Sequence, residues 1–397
     1  MSETKNYAWP VTTTSKDVYE YFEQSVWNRK DILKNKKIVV FGAGIRGTLL
    51  SIILEKAGYE EFYFTDNNSE KWGGYINSHL IMPINEVYQQ IDQVYVLIAI
   101  EGCAKVEAQL EEKGFVSEVN YSSLDTSLYD FYMEEFGRKT DGKVLVMGDC
   151  GVTHISLLDE NKANMGEIIQ EKIGKDSVKV LAMHGMGMHS FYHILKTQIK
   201  TFGIPKVVVL MTNFETFTGK QHLLPRSQHL PLLEKVYACS REDSEFQEYL
   251  EVVRERTENF QIEIASQSAD SDYENRARIY MRYNYMYRLK EENENIQYMQ
   301  KIIQMLNEEG VKVITFIPPV NYQLAKKLEI PKFTEKYEAN VKTLTGILEK
   351  YDCKVLNLAY LLTEDEFASS MTVDETANYT GRYKQADVIA REIARSI

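Results

Sequence analysis

Short apolar runs alternate along the chain with segments of helical period, and that alternation sets its layout. KKIVVF (36–41) is a compact apolar run ended by glycine, which predicts a strand buried on both faces. GTLLSIILEKAG (47–58) has helical spacing and closes on Gly58 as a C-cap. EFYFTD (61–66) and VYVLIAI (94–100) predict two more strands, and AKVEAQLEEKG (104–114) predicts the next helix. Such alternation predicts a parallel sheet with right-handed crossovers. A second series opens at KVLVMGD (143–149). It continues with strands at 178–185, 206–213, 311–319 and 353–358 and ends in a helix, YKQADVIAREIARSI (383–397).

The pattern therefore predicts two α/β domains. Residues 1–35 are a leader with one helix, on which Asp17, Tyr19, Phe22, Val26 and Trp27 recur at helical spacing. A small Rossmann-like domain spans 36–135, and a larger α/β/α domain spans 142–397. The larger one is interrupted by a charged helical insertion at about 220–310. Within it, Ile296, Met299, Ile302, Ile303 and Leu306 form an apolar stripe that predicts a packed amphipathic helix. The same insertion mixes Arg276, Arg278, Arg282 and Arg288 with Tyr280, Tyr283, Tyr285 and Tyr287. These residues could line a groove for an anionic or sugar-like ligand.

Composition narrows the partners. The 397 residues are 44% hydrophobic and carry a net charge of −12, which excludes disorder as the main state and argues against nucleic acid or an anionic membrane surface. Cys103, Cys150, Cys239 and Cys353 lie far apart and form neither a disulfide framework nor a Cys-x-x-Cys metal site. The N-terminus lacks the basic start and apolar run of a signal peptide, and no apolar stretch reaches membrane-spanning length. The expectation is a reduced, cytoplasmic protein. His189 and His193 share a helical i, i+4 spacing but have no third ligand in view, so no metal is expected.

Two stretches carry candidate chemistry. Phe41 runs into Gly42-Ala-Gly44-Ile-Arg-Gly47, a GxGxxG turn between strand and helix, and Asp66 stands at the end of the next strand. That context fits a phosphate at the helix N-terminus and an acid on a ribose hydroxyl. The region resembles the short Rossmann-like modules attached to bacterial surface-polysaccharide enzymes. The resemblance implies a nucleotide or nucleotide-sugar as ligand, and a nicotinamide-dependent oxidoreductase is the reading that rests only on the turn and Asp66.

The second stretch, VLVMGDCGVTHISL (144–157), ends a strand at Gly148-Asp149-Cys150 and places a thiol at a strand-to-helix turn. It resembles the first motif of the SGNH/GDSL hydrolases, with cysteine at the serine position. LAMHGMGMHSF (181–191) resembles the second motif, with Gly185 and Gly187 as candidate backbone donors. VVVLMTNFETF (207–217) resembles the third, with Asn213 as the side-chain donor to an oxyanion. VKVITFIPPVNYQL (311–324) resembles the Pro-Pro-x-Asn segment of the branch that includes teichoic-acid D-alanine transfer and alginate acetylation proteins. The closing segment VDETANYTGRYKQADVIA (373–390) keeps Asp374, Asn378 and Gly381, but Thr376 or Ala377 occupies the histidine position.

The resemblance implies a flavodoxin-like fold. It also implies an acyl-ester hydrolase or acyltransferase acting on a sugar or cell-envelope glycan precursor, with Cys150 as nucleophile and Asp149 holding the loop. His154, one helical turn after Cys150, is the candidate replacement base, and His184, His189 and His193 flank the second motif. The alternative is a catalytically degenerate SGNH-like protein that binds a glycan or nucleotide-sugar.

Overall fold

The computed structural model describes residues 5–7, 11–218, 229–240, 243–258 and 273–397, the side chains of Tyr273 and Arg276 excepted. The chain is α/β and divides into two compact units, residues 1–128 and 129–397. Among the described residues no helix is long and apolar enough to cross a membrane.

The first unit is built on a six-stranded sheet. Its strands are β1 (Lys37–Phe41), β2 (Phe62–Thr65), β3 (Tyr75–Ile76), β4 (His79–Met82), β5 (Val94–Ile98) and β6 (Tyr121–Ser123). They lie in the order β3-β4-β2-β1-β5-β6, parallel except for the β3–β4 pair. β5 is buried along its whole length and β1 over all but Lys37, which explains their unbroken apolar runs.

The leader belongs to this unit. Helix α1 (Lys16–Asn28) buries Val18, Tyr19, Phe22 and Val26. The Arg46 guanidinium lies over the Phe22 ring at 5.1 Å, and Arg29 Nε donates to Ser122 Oγ at 2.6 Å. Trp27, expected on the docked face, is 63% exposed, because the face turns through Val18 rather than through Trp27.

The second unit carries five parallel strands, β7 (Val144–Gly148), β8 (Val178–Ala182), β9 (Val207–Met211), β10 (Lys312–Ile317) and β11 (Lys354–Asn357). Their spatial order is β8-β7-β9-β10-β11. This is a doubly wound order that reverses direction between β7 and β9, the place where such sheets open a crevice beyond their strand ends. Val146, Val209, Ile314 and Phe316 meet Ile389 and Ile393 in the core on one face of the sheet.

Four described helices lie between β9 and β10: α2 (Leu230–Ser240), α3 (Ser244–Glu258), α4 (Tyr273–Tyr285) and α5 (Glu294–Glu308). The stripe on α5 is buried as its period predicts. The arginines and tyrosines of α4 and the loop after it go different ways. Arg282, Tyr283 and Arg288 are exposed, and Arg278 binds Leu328 O and Glu274. Tyr280, Tyr285 and Tyr287 point their hydroxyls inward. The segment thus shows a solvated cationic face and a buried phenolic one, in place of the alternative mixed groove, while the side chain of Arg276 lies outside the described residues.

Candidate functional site

The glycine-rich turn of the first unit folds as its spacing requires. Gly42 adopts φ +113°, and Gly44 is the N-cap of the helix Ile45–Lys56. A Cβ at Gly47 would lie 1.9 Å from the Gly42 carbonyl oxygen, so helix and turn touch at a position only glycine fits. Replacing Gly47 with alanine should therefore destabilise the first unit by about 1–3 kcal/mol. Trp27 and Trp72, the tryptophans among the described residues, belong to that unit, so tryptophan fluorescence during urea unfolding reports the loss.

Asp66 is turned onto its own unit instead of facing open space. Its Oδ2 accepts from the Ala43 N–H at 2.9 Å and pairs with Lys71 Nζ at 2.8 Å, and its Oδ1 accepts from the Asn68 N–H at 2.9 Å. Burial pushes this carboxyl up, but Lys71 and the two amides outweigh it and hold it below the usual range. Lys71 also donates to Ala43 O at 2.9 Å. The expected ribose acceptor is thus a clamp on the glycine-rich turn.

In the second unit, four sequence-distant segments meet beyond the strand ends. Asp149 follows β7 and caps the helical turn Cys150–Thr153, its Oδ1 accepting from the Gly151 N–H at 2.9 Å. Asn213 follows β9. Its Nδ2 donates to Asp149 Oδ2, and its Oδ1 accepts from the Thr216 N–H at 2.9 Å. The amide expected to face an oxyanion thus gives one of its two N–H groups to Asp149. Gly187 stands at the N-cap of the helix Met188–Phe202, at the carboxyl end of β8.

Asp374 lies in the loop before the last helix, α6 (Tyr379–Ser396), and accepts from the Thr376 N–H at 2.9 Å. That loop is heavily braced. Asn321, from the Pro-Pro-x-Asn segment, donates to Thr372 O at 3.3 Å. Asn378 caps α6 through Gly381 N–H at 3.1 Å and donates to Asp365 O at 2.6 Å. The fully buried Arg382 donates to Ala377 O at 2.7 Å and Ala163 O at 3.0 Å, and pairs with Asp159 at 2.9 Å.

Sequence reasoning missed the two acids that change the chemistry, Glu215 and Glu375. Both are buried, at 5% and 2% exposure. Tyr280 and Tyr285 donate to Glu215 Oε1, the latter at 3.0 Å, and Tyr285 also reaches Glu375 Oε1 at 3.3 Å. The signals were adjacent to residues already singled out, in Asn213-Phe-Glu215 and Asp374-Glu375.

Burial, and repulsion between these acids, raise the carboxyls of Asp149, Glu215 and Glu375, and burial raises that of Asp374. The Cys150 thiol is pushed well above its ordinary range by burial and then by Asp149, Asp374, Glu215 and Glu375. The expectation that a helix N-terminus would favour its thiolate fails here, because one four-residue turn faces four acids.

The histidines do not rescue it. The helical turn ends at Thr153, and His154 begins an extended segment. Burial first, and then His184, depress the His154 imidazole to about 3. His189 pairs with Glu294 at 3.1 Å, and His193 stacks between Phe246 and Tyr249 at 4.7 and 4.8 Å. Among the described residues no group of histidines, cysteines and acids converges in a way that could hold a metal ion. No protein-family model matches the chain, and no curated protein matches it.

Proposed function

We propose that the second unit is a catalytically degenerate SGNH-like domain that binds a glycan or nucleotide-sugar in the acidic crevice between β7 and β9. The observation that carries this reading is the setting of Cys150, a thiol among three buried acids and the half-buried Asp374, with none of the described histidines beside it. A thiolate formed there would be a charge in a low-dielectric site whose neighbouring carboxyls already resist ionisation. Asn213 directs one of its two amide hydrogens to Asp149. Thr376 or Ala377 stands where the resembling family places its histidine.

Carboxyls and tyrosine hydroxyls suit the recognition of a polar, hydroxyl-rich ligand. A cavity of about 530 Å³, lined by Ser156, Asp159, Thr363, Asp365, Ser369 and Asn378 among others, lies against the same loop, whose Asn378 it shares.

Alkylation of Cys150 by iodoacetamide across pH, read by mass spectrometry against the unfolded chain, tests the reading. The folded thiol should react only above the unperturbed range of about 8.5. An apparent pKa below that range would mean an activated nucleophile and would restore the acyl-transfer reading, in which Cys150 attacks an ester.

A further inference from the structure

We infer that the cavity beside the loop before α6 is a subsite for a neutral glycan and refuses a nucleotide-sugar, an inference that rests on the ligand-binding reading and decides between its two ligand classes. The cavity lies where loops from three strand ends converge. Ser156, Leu158 and Asp159 follow β7, Gln323 follows β10, and the segment 363–378 follows β11. Doubly wound sheets bind their ligands beyond the carboxyl ends of their strands. The volume of about 530 Å³ is within the range of small-ligand pockets, about 300–1,000 Å³.

The wall is held by bonds of its own. Ser156 Oγ donates to Ala368 O at 3.2 Å, the Ser369 N–H donates to Thr372 Oγ1 at 2.8 Å, and Asn378 Nδ2 donates to Asp365 O at 2.6 Å. Two polar groups of the wall are left over. Neither the Gln323 amide nor the Ser370 hydroxyl has a hydrogen-bond partner among the described residues. Each both donates and accepts, as the hydroxyls of a sugar do. Leu158, 77% exposed, adds an apolar edge for the C–H groups of a sugar ring.

Charge decides between the two ligand classes. Among the described residues no lysine, arginine or histidine lines the cavity, whereas Asp159, Glu364 and Asp365 do. The cations nearby are engaged. Arg382 pairs with Asp159 at 2.9 Å, Lys327 with Glu364 at 2.5 Å, and Lys384 with Glu366. Lys162 donates to Ser156 O at 3.2 Å and Leu157 O at 3.1 Å. Asp365 forms no ion pair among the described residues. Thr363 Oγ1 donates to it at 2.7 Å and holds its carboxyl below the usual range, so it is ionised at neutral pH. The N-terminus of α6 reaches the wall at Asn378, whose own Oδ1 takes the Gly381 N–H at 3.1 Å. A diphosphate here would meet a carboxylate and no cation to offset its charge. A neutral glycan needs only the donors and acceptors that the wall supplies.

The test is calorimetric titration of the full chain at neutral pH with maltose, cellobiose and chitobiose as neutral probes and with UDP-glucose as the charged one. At least one disaccharide should bind. Ser370→Trp fills the cavity from an exposed, unpartnered position and should weaken that binding by roughly tenfold or more. Gln323→Leu keeps the bulk and removes the amide, and should weaken it by roughly tenfold, the effect of one or two hydrogen bonds. Any binding of UDP-glucose should be the same in wild type and Ser370→Trp. Retained secondary structure and a cooperative melt establish that each variant is folded. Disaccharide binding that both variants leave intact would place the sugar outside the cavity, overturning the inference while the glycan-binding reading stands. UDP-glucose binding that Ser370→Trp abolishes would also overturn it, in favour of a nucleotide-sugar. Binding of no probe would count against both.

Discussion

Replacing Arg382 with leucine should destabilise the second unit by about 3–5 kcal/mol, the usual cost of removing one partner from a buried ion pair. The guanidinium is fully buried and serves segments far apart in sequence. It pairs with Asp159 at 2.9 Å and donates to Ala163 O at 3.0 Å, Ala377 O at 2.7 Å and Asn161 O at 3.4 Å. Leucine leaves a mostly buried carboxylate without its cation and several carbonyls without a donor, and every one of those groups must be desolvated on folding.

Arg382→Lys keeps the charge but loses the planar fork, so its cost should fall between wild type and leucine. Urea unfolding followed by far-ultraviolet circular dichroism reads the loss. Tryptophan fluorescence, confined to the first unit, should show that unit unchanged. Equal stability of Arg382→Leu and wild type would show that the loop before α6 does not depend on this anchor.

Glu375→Gln should act in the opposite direction and stabilise the protein. The folded chain holds the Glu375 proton well above the ordinary carboxyl range, through burial and the charges of Glu215, Asp149 and Asp374. The unfolded chain releases it near the usual value of about 4.3. Between the two, the folded state binds more protons, so the stability tied to this group is lost as pH rises. The glutamine variant has no such loss. It should gain about 1–3 kcal/mol over wild type at about pH 8 and much less at about pH 5. Its amide also brings donors into a wall that is rich in acceptors. Urea midpoints at the two pH values test this, and a gain independent of pH would mean that packing, not charge, is responsible.

The buried histidines bound stability from the other side. Burial, with smaller contributions from neighbouring charges, lowers His193 to about 4 and His154 and His229 to about 3. Their neutral forms are kept in the folded state, so stability is lost as pH falls below the unfolded value of about 6.5. Acids and histidines together leave an optimum between the two losses.

Much of the fold was legible because local patterns and tertiary demands agree. The runs at Ile38–Phe41, Val94–Ile98, Val144–Gly148 and Val207–Met211 are apolar at successive positions because those strands are covered on both faces. The stripe Ile296–Leu306 reads as a packed helix because it is one. The hairpin Tyr75–Met82 and the edge strand Tyr121–Ser123 were not legible. They are short and their sequences alternate weakly, and it is pairing to neighbours already in place that makes them strands.

The candidate site divides in the same way. The sequence alone determined two α/β units, the glycine-rich turn with Gly42, Gly44 and Gly47, and the candidates Asp149, Cys150, Asn213 and Asp374, since each sits at a strand end that its apolar run marks. Only the tertiary structure decided what those residues do. It turned Asp66 onto Ala43 and Lys71, gave the Asn213 amide to Asp149, and brought Glu215, Glu375, Tyr280 and Tyr285 together around a thiol. A strand end is a local property, written in the residues that form it. The charge on a thiol or carboxyl depends on burial and on neighbours that chain crossovers bring from far away in sequence, and that sum exists only once the sheet has closed.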